Sequence, residues 1–543
     1  APGWPAPAGA REMARSGQEL ILFVRPGLRA GPVARDLGHR AVVRATLPAL
    51  GAIVVRERPG LLARLRRAPR LAGAERVGLL HARSDPADQL DPLTGRPFAW
   101  HLGAVNAGPA LAAVGGGTQV PVAVVDGGAD VRHPDLAGRI AGTYDAFIGV
   151  GTDVTDFTGH GTFVSALISA TPDDGIGSRG VAGRTPLLVI RASIDGGYRP
   201  SDLARGITWA ADQGARVINL SVGGTVRSEL IDRAIDYALG QKDALVLAAA
   251  GNEAQVGNPI EYPAAGLGGV QGAWGRGLSV AATTPDGATA PFSNRNDFIS
   301  IAAPGAGTIC TDGVFSALPT NSSITLWDRL AGRACAPEIF GAPYDARGRW
   351  AYGEGTSFST PIVAGVAALV RQANPALRAE QAAAVLTRSA VRAPGTGWGP
   401  EQGWGRVDAL AAVNLARIAD TTAPRISALE LVPENGGVRV RVQGEEQAGP
   451  GQEVTGGLQV ALERRYGLET AWTSLDAFPQ ALPRDQLLTI GPGVEVRVRA
   501  TVCDAMRNCA QAEAGPVAWQ LPPPPAPAPA PATPERPLYR TQL

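Results

Sequence analysis

Lysine is nearly absent from this chain. Lys242 is the single one among 50 basic residues, which reads as an arginine-favouring coding bias rather than an arginine-specific task. Neither sign of charge is in excess. Fifty basic against 49 acidic residues leave a formal +1, which argues against the electrostatic footprint of a nucleic-acid or anionic-membrane binder. No apolar run approaches about 18 residues, so no membrane-spanning helix is expected. Cysteine is scarce at four, and none sits in C-x-x-C spacing, which argues against a structural zinc site. The chain starts at Ala1 rather than Met, as after removal of a signal peptide or in a trimmed chain.

What is present is ample apolar material, 45% of 543 residues, enough to exclude a disordered chain and to build two to four units. The cysteines fall into two close pairs, Cys310 with Cys335 and Cys503 with Cys509. Local pairing in an oxidising compartment is the natural expectation; four buried free thiols are the alternative.

Residues 1–16 read as a loose Ala/Pro/Gly tail. A small α/β unit follows over 17–86, with strands expected at Glu19–Arg25, Leu50–Arg56 and Arg76–His81 and a short helix at Pro59–Arg67. Ser84–Gly95 breaks all periodicity and marks a boundary. From there to about residue 419 strands and helices alternate. Val120–Val125, Val217–Val222 and Ala244–Ala249 are short apolar runs of the kind buried on both faces of a parallel sheet. Ser201 and Ser228 are expected to cap the intervening helices. Thr360–Arg371 is apolar nearly all round, hence a helix buried mid-domain. After Ala423-Pro424 period-two alternation (Val438, Val440, Val442; Val494, Val496, Val498) argues for an antiparallel β-sandwich over 425–520, in which Tyr466 and Trp472 are expected to be core residues. Residues 521–543 form a proline-rich tail.

Four short segments carry chemistry. His160 lies in Asp156-Phe-Thr-Gly-His160-Gly-Thr162, where flanking glycines leave the imidazole uncrowded. Asp126 ends a buried strand, the place where parallel sheets gather ligands, and an Asp there can accept a histidine Nδ1–H. Ser357 lies in Gly355-Thr-Ser-Phe-Ser-Thr-Pro361 at a helix start, beside unpaired N–H groups suited to an anionic intermediate. Asn252, in Ala250-Gly251-Asn252, ends another strand and can offer a side-chain N–H to an oxyanion. Each has a bland reading, whether turn, cap or core residue. Gly175-Ile-Gly-Ser-Arg-Gly180 spells G-x-G-x-x-G but follows Thr171-Pro-Asp-Asp174, not a strand, so no nicotinamide site is expected.

Together these segments, in the order Asp, His, Ser, resemble the subtilisin-like serine peptidases (subtilases) over roughly 91–415. His133-Pro-Asp-Leu136, Gly180-Val-Ala182, Asn219-Leu-Ser-Val-Gly-Gly224, Phe292-Ser-Asn294 and Ala303-Pro-Gly305 support the likeness. It implies a three-layer α/β domain with a mostly parallel central sheet, preceded by a small α/β propeptide domain (17–86) and followed by the β-sandwich. It implies Ser357 as nucleophile, His160 as base and acid, Asp126 as orienting carboxylate and Asn252 as oxyanion donor. Peptide is expected to bind as an extended strand along Ser221, Val222, Gly223 and Gly224, with Ala250 and Gly251 alongside. No cofactor is implied for the chemistry. Structural calcium is implied at Asp91, Asp135 and Asp173-Asp174, residues with the oxygen ligands it prefers. The expected product is a secreted or periplasmic/extracellular monomeric endopeptidase, made as a self-processed zymogen cut between His81 and Asp91, with its own propeptide as inhibitor and proteins or peptides as substrates. The alternatives are a catalytically silent binding protein on this fold, or a surface-binding β module carried on a maturation peptidase. Three features depart from the family pattern: Phe163 stands where a second histidine is usual, Phe358-Ser359 where Met-Ala is usual, and extra sequence lies between Cys310 and Trp350, just before Ser357.

Overall fold

The computed structural model describes residues 19–37, 41–56, 61, 65, 68–77, 80–82, 99–115, 119–172, 177–272, 275–305, 313–320, 349–393, 395–447, 457–475 and 479–521. The tails at 1–16 and 522–543, the Ser84–Gly95 boundary, and the Cys310/Cys335 pair lie outside these residues. The chain divides into two compact units, the second beginning at Ala423.

The first unit opens with an antiparallel sheet of β1 (Glu19–Val24), β2 (Val43–Leu47), β3 (Ala52–Arg56) and β4 (Leu71–Val77), in the order β2-β3-β1-β4. Period-two alternation gives β1 two apolar faces. Leu20, Leu22 and Val24 pack with Val33 and Leu37 of the Ala30–Leu37 helix, whereas Ile21 and Phe23 join a core with Leu230, Ile231 and Ala234. The strand expected from Leu50 begins at Ala52, because Pro48–Leu50 forms a 3₁₀ turn closed by Gly51 at φ +58°. The single strand expected at Arg76–His81 is two: β4, and a separate β5 (Leu80–Ala82) that leaves the sheet. The helix expected at Pro59–Arg67 lies outside the described residues except for Leu61 and Leu65, both buried. The Ala30–Leu37 helix and β2 escaped the sequence reading, since Pro26-Gly27 and Gly31-Pro32 disguise a helix that tolerates proline only in its first turn.

The central sheet contains β6 (Val122–Asp126), β7 (Ile140–Asp145), β8 (Leu187–Arg191), β10 (Val217–Leu220), β12 (Leu245–Ala249), β13 (Leu278–Thr283) and β14 (Ile301–Pro304), in the order β14-β13-β12-β10-β6-β8-β7. Every neighbouring pair is parallel. Val122 and Val124 face the core shared with the His160–Ser169 and Thr356–Ala373 helices; Ala123 and Val125 face the Pro200–Asp212 and Glu229–Lys242 helices. Three layers result, with the continuous apolar strands in the middle. Strand order reverses between β6 and β10, the switch point at which ligands bind in open α/β sheets. A hairpin of β15 (Val314–Leu318) and β16 (Arg349–Gly353) leads into the Thr356–Ala373 helix. That helix begins four residues before the apolar run at Thr360 suggested.

Ser228 caps its helix as expected, accepting from Ile231 N–H at 3.4 Å. Ser201 does not. Its helix begins at Pro200 with Arg199 as cap, because proline is tolerated at the first helical position and carries the start one residue upstream.

His101, in the short Trp100–Ala104 helix, is fully buried, and neither ring nitrogen has a partner among the described residues. Burial pushes its pKa down to about 3. A folded-state value below the unfolded value of about 6.5 means that stability is intact above about pH 6.5 and is lost as pH falls toward 3, by about 1.4 kcal/mol per unit within that window. On a Ser357→Ala background, where self-digestion cannot interfere, His101→Phe is expected to flatten the fall in Tm between pH 7 and pH 4. Equal slopes in the two proteins would contradict it.

The second unit is a β-sandwich. One antiparallel sheet holds β17 (Arg425–Glu434), β18 (Gly437–Glu445) and β22 (Arg484–Thr489); the other holds β19 (Gln459–Tyr466), β20 (Thr473–Ser474), β21 (Gln480–Ala481), β23 (Val496–Cys503) and β24 (Cys509–Val517). Val438, Val440 and Val442 meet Val460, Leu462, Val496 and Val498 between them. Cys503 and Cys509 form the expected disulfide across the β23–β24 hairpin. Tyr466 packs against this core, but Trp472 does not. It lies half-buried with the guanidiniums of Arg465 and Arg499 each 4.7 Å from its ring, since cation–π contact suits an indole on an arginine-rich face better than a dry core.

Candidate active site

The carboxyl ends of β6, β10 and β12 are adjacent in the sheet and deliver Asp126, Ser221 and Asn252 to one edge. Asp126, fully buried, has both carboxylate oxygens 2.9 Å from His160 Nδ1. Its Oδ1 also accepts from Gly127 N–H at 2.6 Å and from the Tyr198 hydroxyl at 3.1 Å. His160 begins its helix behind Gly159, which sits at φ +85°, and ahead of Gly161, where a Cβ would lie 1.9 Å from the Gly128 carbonyl. The two glycines therefore serve different needs, a left-handed entry and a close approach of helix to strand end.

The helix start is held by Asp156. Its Oδ1 accepts from Thr158 N–H and Oγ1 and from Gly159 N–H, and its Oδ2 accepts from Thr162 N–H and Oγ1, at 2.7–3.0 Å. Burial raises the Asp156 pKa, opposed by the Thr162 bonds. Thr158 Oγ1 in turn accepts from His160 N–H at 3.2 Å.

Ser357 occupies the second position of the Thr356–Ala373 helix, with Gly355 as cap at φ +145°. Pro361 lacks the N–H that would meet the Ser357 carbonyl four residues back. Ser221 Oγ fills that place, donating to Ser357 O at 2.7 Å, and accepts from Asn219 Nδ2 at 3.0 Å. Ser357 Oγ donates to Ser221 O at 3.3 Å; among the described residues it makes no hydrogen bond to His160. Phe358, the next residue, sets its ring 5.6 Å from the imidazole and 4.4 Å from Phe163. The two phenylalanines thus pack on each other, and Phe358 on His160.

Asn252 is anchored through one end only. Its Oδ1 accepts from Thr356 N–H and Thr356 Oγ1, both at 2.9 Å. Because a backbone N–H can only donate, this fixes the amide orientation and leaves Nδ2 as the free end. Nδ2 is buried and has no partner among the described residues. Thr356 Oγ1 also accepts from Gly251 N–H at 3.2 Å.

Of the expected peptide-binding residues, Val222–Gly223 forms β11, whose edge is already paired. Antiparallel to it runs β5, with Ala82 opposite Val222 and His81 opposite Gly223, and on its other side lies β9 (Gly197–Tyr198), with Leu80 opposite Tyr198. Gly224 pairs instead with Tyr262, Ser221 faces Ser357, and Ala250 N–H bonds Val280 O in the sheet at 3.0 Å.

The calcium expectation finds little support. Asp91 and Asp173-Asp174 lie outside the described residues. Asp135 Oδ2 is taken by donors, Ser178 N–H at 2.8 Å, Ser178 Oγ at 2.5 Å and Trp350 Nε1 at 2.9 Å. Burial raises its pKa. An indole N–H is no ligand for a cation, and no other carboxylate among the described residues joins Asp135 in a three-residue metal cluster.

Thermitase from Thermoactinomyces vulgaris is 31% identical over 299 residues, covering 55% of this chain and 89% of that protein. Fervidolysin from Fervidobacterium pennivorans is 34% identical over 328 residues, covering 58% of this chain but only 43% of that protein. The fervidolysin crystal structure matches with a TM-score of 0.60 at 19% identity, over 93% of this chain and 91% of that one, a likeness of fold. The model of the subtilase family matches residues 117–405, more than half of the chain, which therefore belongs to that family of serine proteases.

Proposed function

We propose that the protein is an endopeptidase that hydrolyses peptide bonds through an acyl-enzyme. The observation that carries this reading is the convergence of a buried Asp126–His160 pair and an Asn252 Nδ2 without a partner among the described residues on the helix end that bears Ser357. In this reading a turn about χ1 must carry Ser357 Oγ from the Ser221 carbonyl to the imidazole. Oγ then attacks the substrate carbonyl while His160 takes its proton and Asp126 stabilises the imidazolium. Asn252 Nδ2 and the Ser357 N–H hold the oxyanion. His160 returns the proton to the leaving amine. Water, deprotonated by His160, releases the acid and restores Ser357.

Residues 17–86 act in this reading as a propeptide, 87–419 as the catalytic domain and 425–520 as an appended β module. The pairing of β5 with β9 and β11 supports the propeptide role, since main-chain strand addition is how an extended peptide gains affinity without sequence demands. The sheet of the same segment, packed on the Glu229–Lys242 helix, supports it too. The Cys503–Cys509 disulfide suits secretion into an oxidising compartment. Among the described residues no helix is long and apolar enough to cross a membrane. Calcium has no part in the proposal.

One observation favours a silent fold, the bond from Ser357 Oγ to Ser221 O. At 3.3 Å it is long, and a hydroxyl rotor is released from it cheaply. Fluorophosphonate labelling followed by peptide mapping decides: modification at Ser357 supports the peptidase, and an unlabelled, folded, fully processed protein overturns it.

A further inference from the structure

We propose that Tyr198 is a positioning residue of the relay, its phenol holding the Asp126 carboxylate and setting how firmly that carboxylate grips the His160 imidazolium. This rests on the acyl-transfer reading above. The phenol donates to Asp126 Oδ1 at 3.1 Å, the same oxygen that lies 2.9 Å from His160 Nδ1. All three side chains are buried. Gly127 brings no side chain of its own to the carboxylate, and Asp156 is occupied by Thr158, Gly159 and Thr162. Among the described residues the neutral donors on the Asp126 carboxylate are therefore the Gly127 N–H and Tyr198.

The tyrosine reaches Asp126 from β9, whose main chain pairs with β5. One residue thus lines the strand-binding edge with its backbone and steadies the relay with its side chain. Burial, then the Asp126 charge, raises the phenol pKa well above its ordinary value, so the hydroxyl stays a donor at any working pH. The charged groups facing the phenol are Asp126, Asp156 and Asp195; Asp126 faces the imidazole, with the Phe358 ring beside it.

A hydrogen bond donated to a carboxylate spreads its charge and weakens its hold on a neighbouring cation. Removing the donor makes Asp126 the stronger partner, so His160 keeps its proton to higher pH. For Tyr198→Phe the acid limb of kcat/KM, and of the rate of fluorophosphonate labelling, is expected to move up by about half a unit to one unit. Site-specific 3-fluorotyrosine at position 198 keeps the shape, sharpens the donor and is expected to move the limb down, and it serves alone should Tyr198→Phe not fold. A limb that stays put in either protein overturns the proposal, even where Tm falls, because a merely structural tyrosine would change stability without moving the profile. A wild-type enzyme that does not label at Ser357 overturns the acyl-transfer reading itself, and this inference with it.

Discussion

Ser357→Ala is expected to accumulate as a full-length, uncut chain with a native fold and essentially no peptidase activity. The loss follows from chemistry, because the other hydroxyl at that edge of the sheet, Ser221 Oγ, is tied to Ser357 O and Asn219 Nδ2. In subtilisin, loss of the nucleophilic serine lowers kcat by about 10⁶, and a fall of that order is expected here. The fold should survive. Alanine is favourable in a first helical turn, and the one bond removed, to Ser221 O, is 3.3 Å long. Loss of a bond of that kind costs at most about 1 kcal/mol. Tm should therefore change by only a few degrees while processing stops. N-terminal sequencing of the purified variant and of the wild type checks this. A variant that trims itself at the wild-type rate would show that Ser357 does not make the cut.

The legible parts of the site are those in which chemistry and backbone pattern coincide within a few residues. Asp126 ends an apolar run, His160 stands between glycines, and Ser357 opens an apolar helix; each announces itself locally. Asn252 follows the same logic at the end of β12. The parts that stayed hidden depend on residues remote in sequence. Tyr198 lies 72 residues from Asp126, and nothing in Gly196-Gly-Tyr198 hints that its hydroxyl reaches a carboxylate. Thr356 reads as an ordinary neighbour of Ser357, although it sets the orientation of an amide 104 residues upstream. Phe163 and Phe358 were visible as departures but not as partners, since only the crossing of their helices brings the rings together. Boundaries failed where proline interferes with capping signals, as at Pro200, and Trp472 failed because period-two alternation tells which face a residue takes but not whether that face is dry.

Asn252 offers the second large effect, and its two ends allow the donor role to be separated from the structural one. Asn252→Ala removes the free Nδ2 and also the acceptor of Thr356 N–H and Oγ1. It should lower both kcat and Tm. Asn252→Asp keeps a carboxylate oxygen for Thr356 but replaces the free N–H with an acceptor, so Tm should stay near the wild-type value while kcat falls at least as far. Loss of the equivalent donor in subtilisin costs about 10²–10³ in kcat, about 3–4 kcal/mol, and the same range is expected for Asn252→Ala. KM should change little. A donor waiting for charge that develops only in the transition state contributes little to substrate binding. Steady-state kinetics on a short peptide amide, with thermal unfolding alongside, tests each part. Should Asn252→Ala retain kcat within a factor of about three, a buried Nδ2 without a partner among the described residues would need another explanation, because leaving such a group unsatisfied costs about 1–3 kcal/mol and the oxyanion is what would offset it.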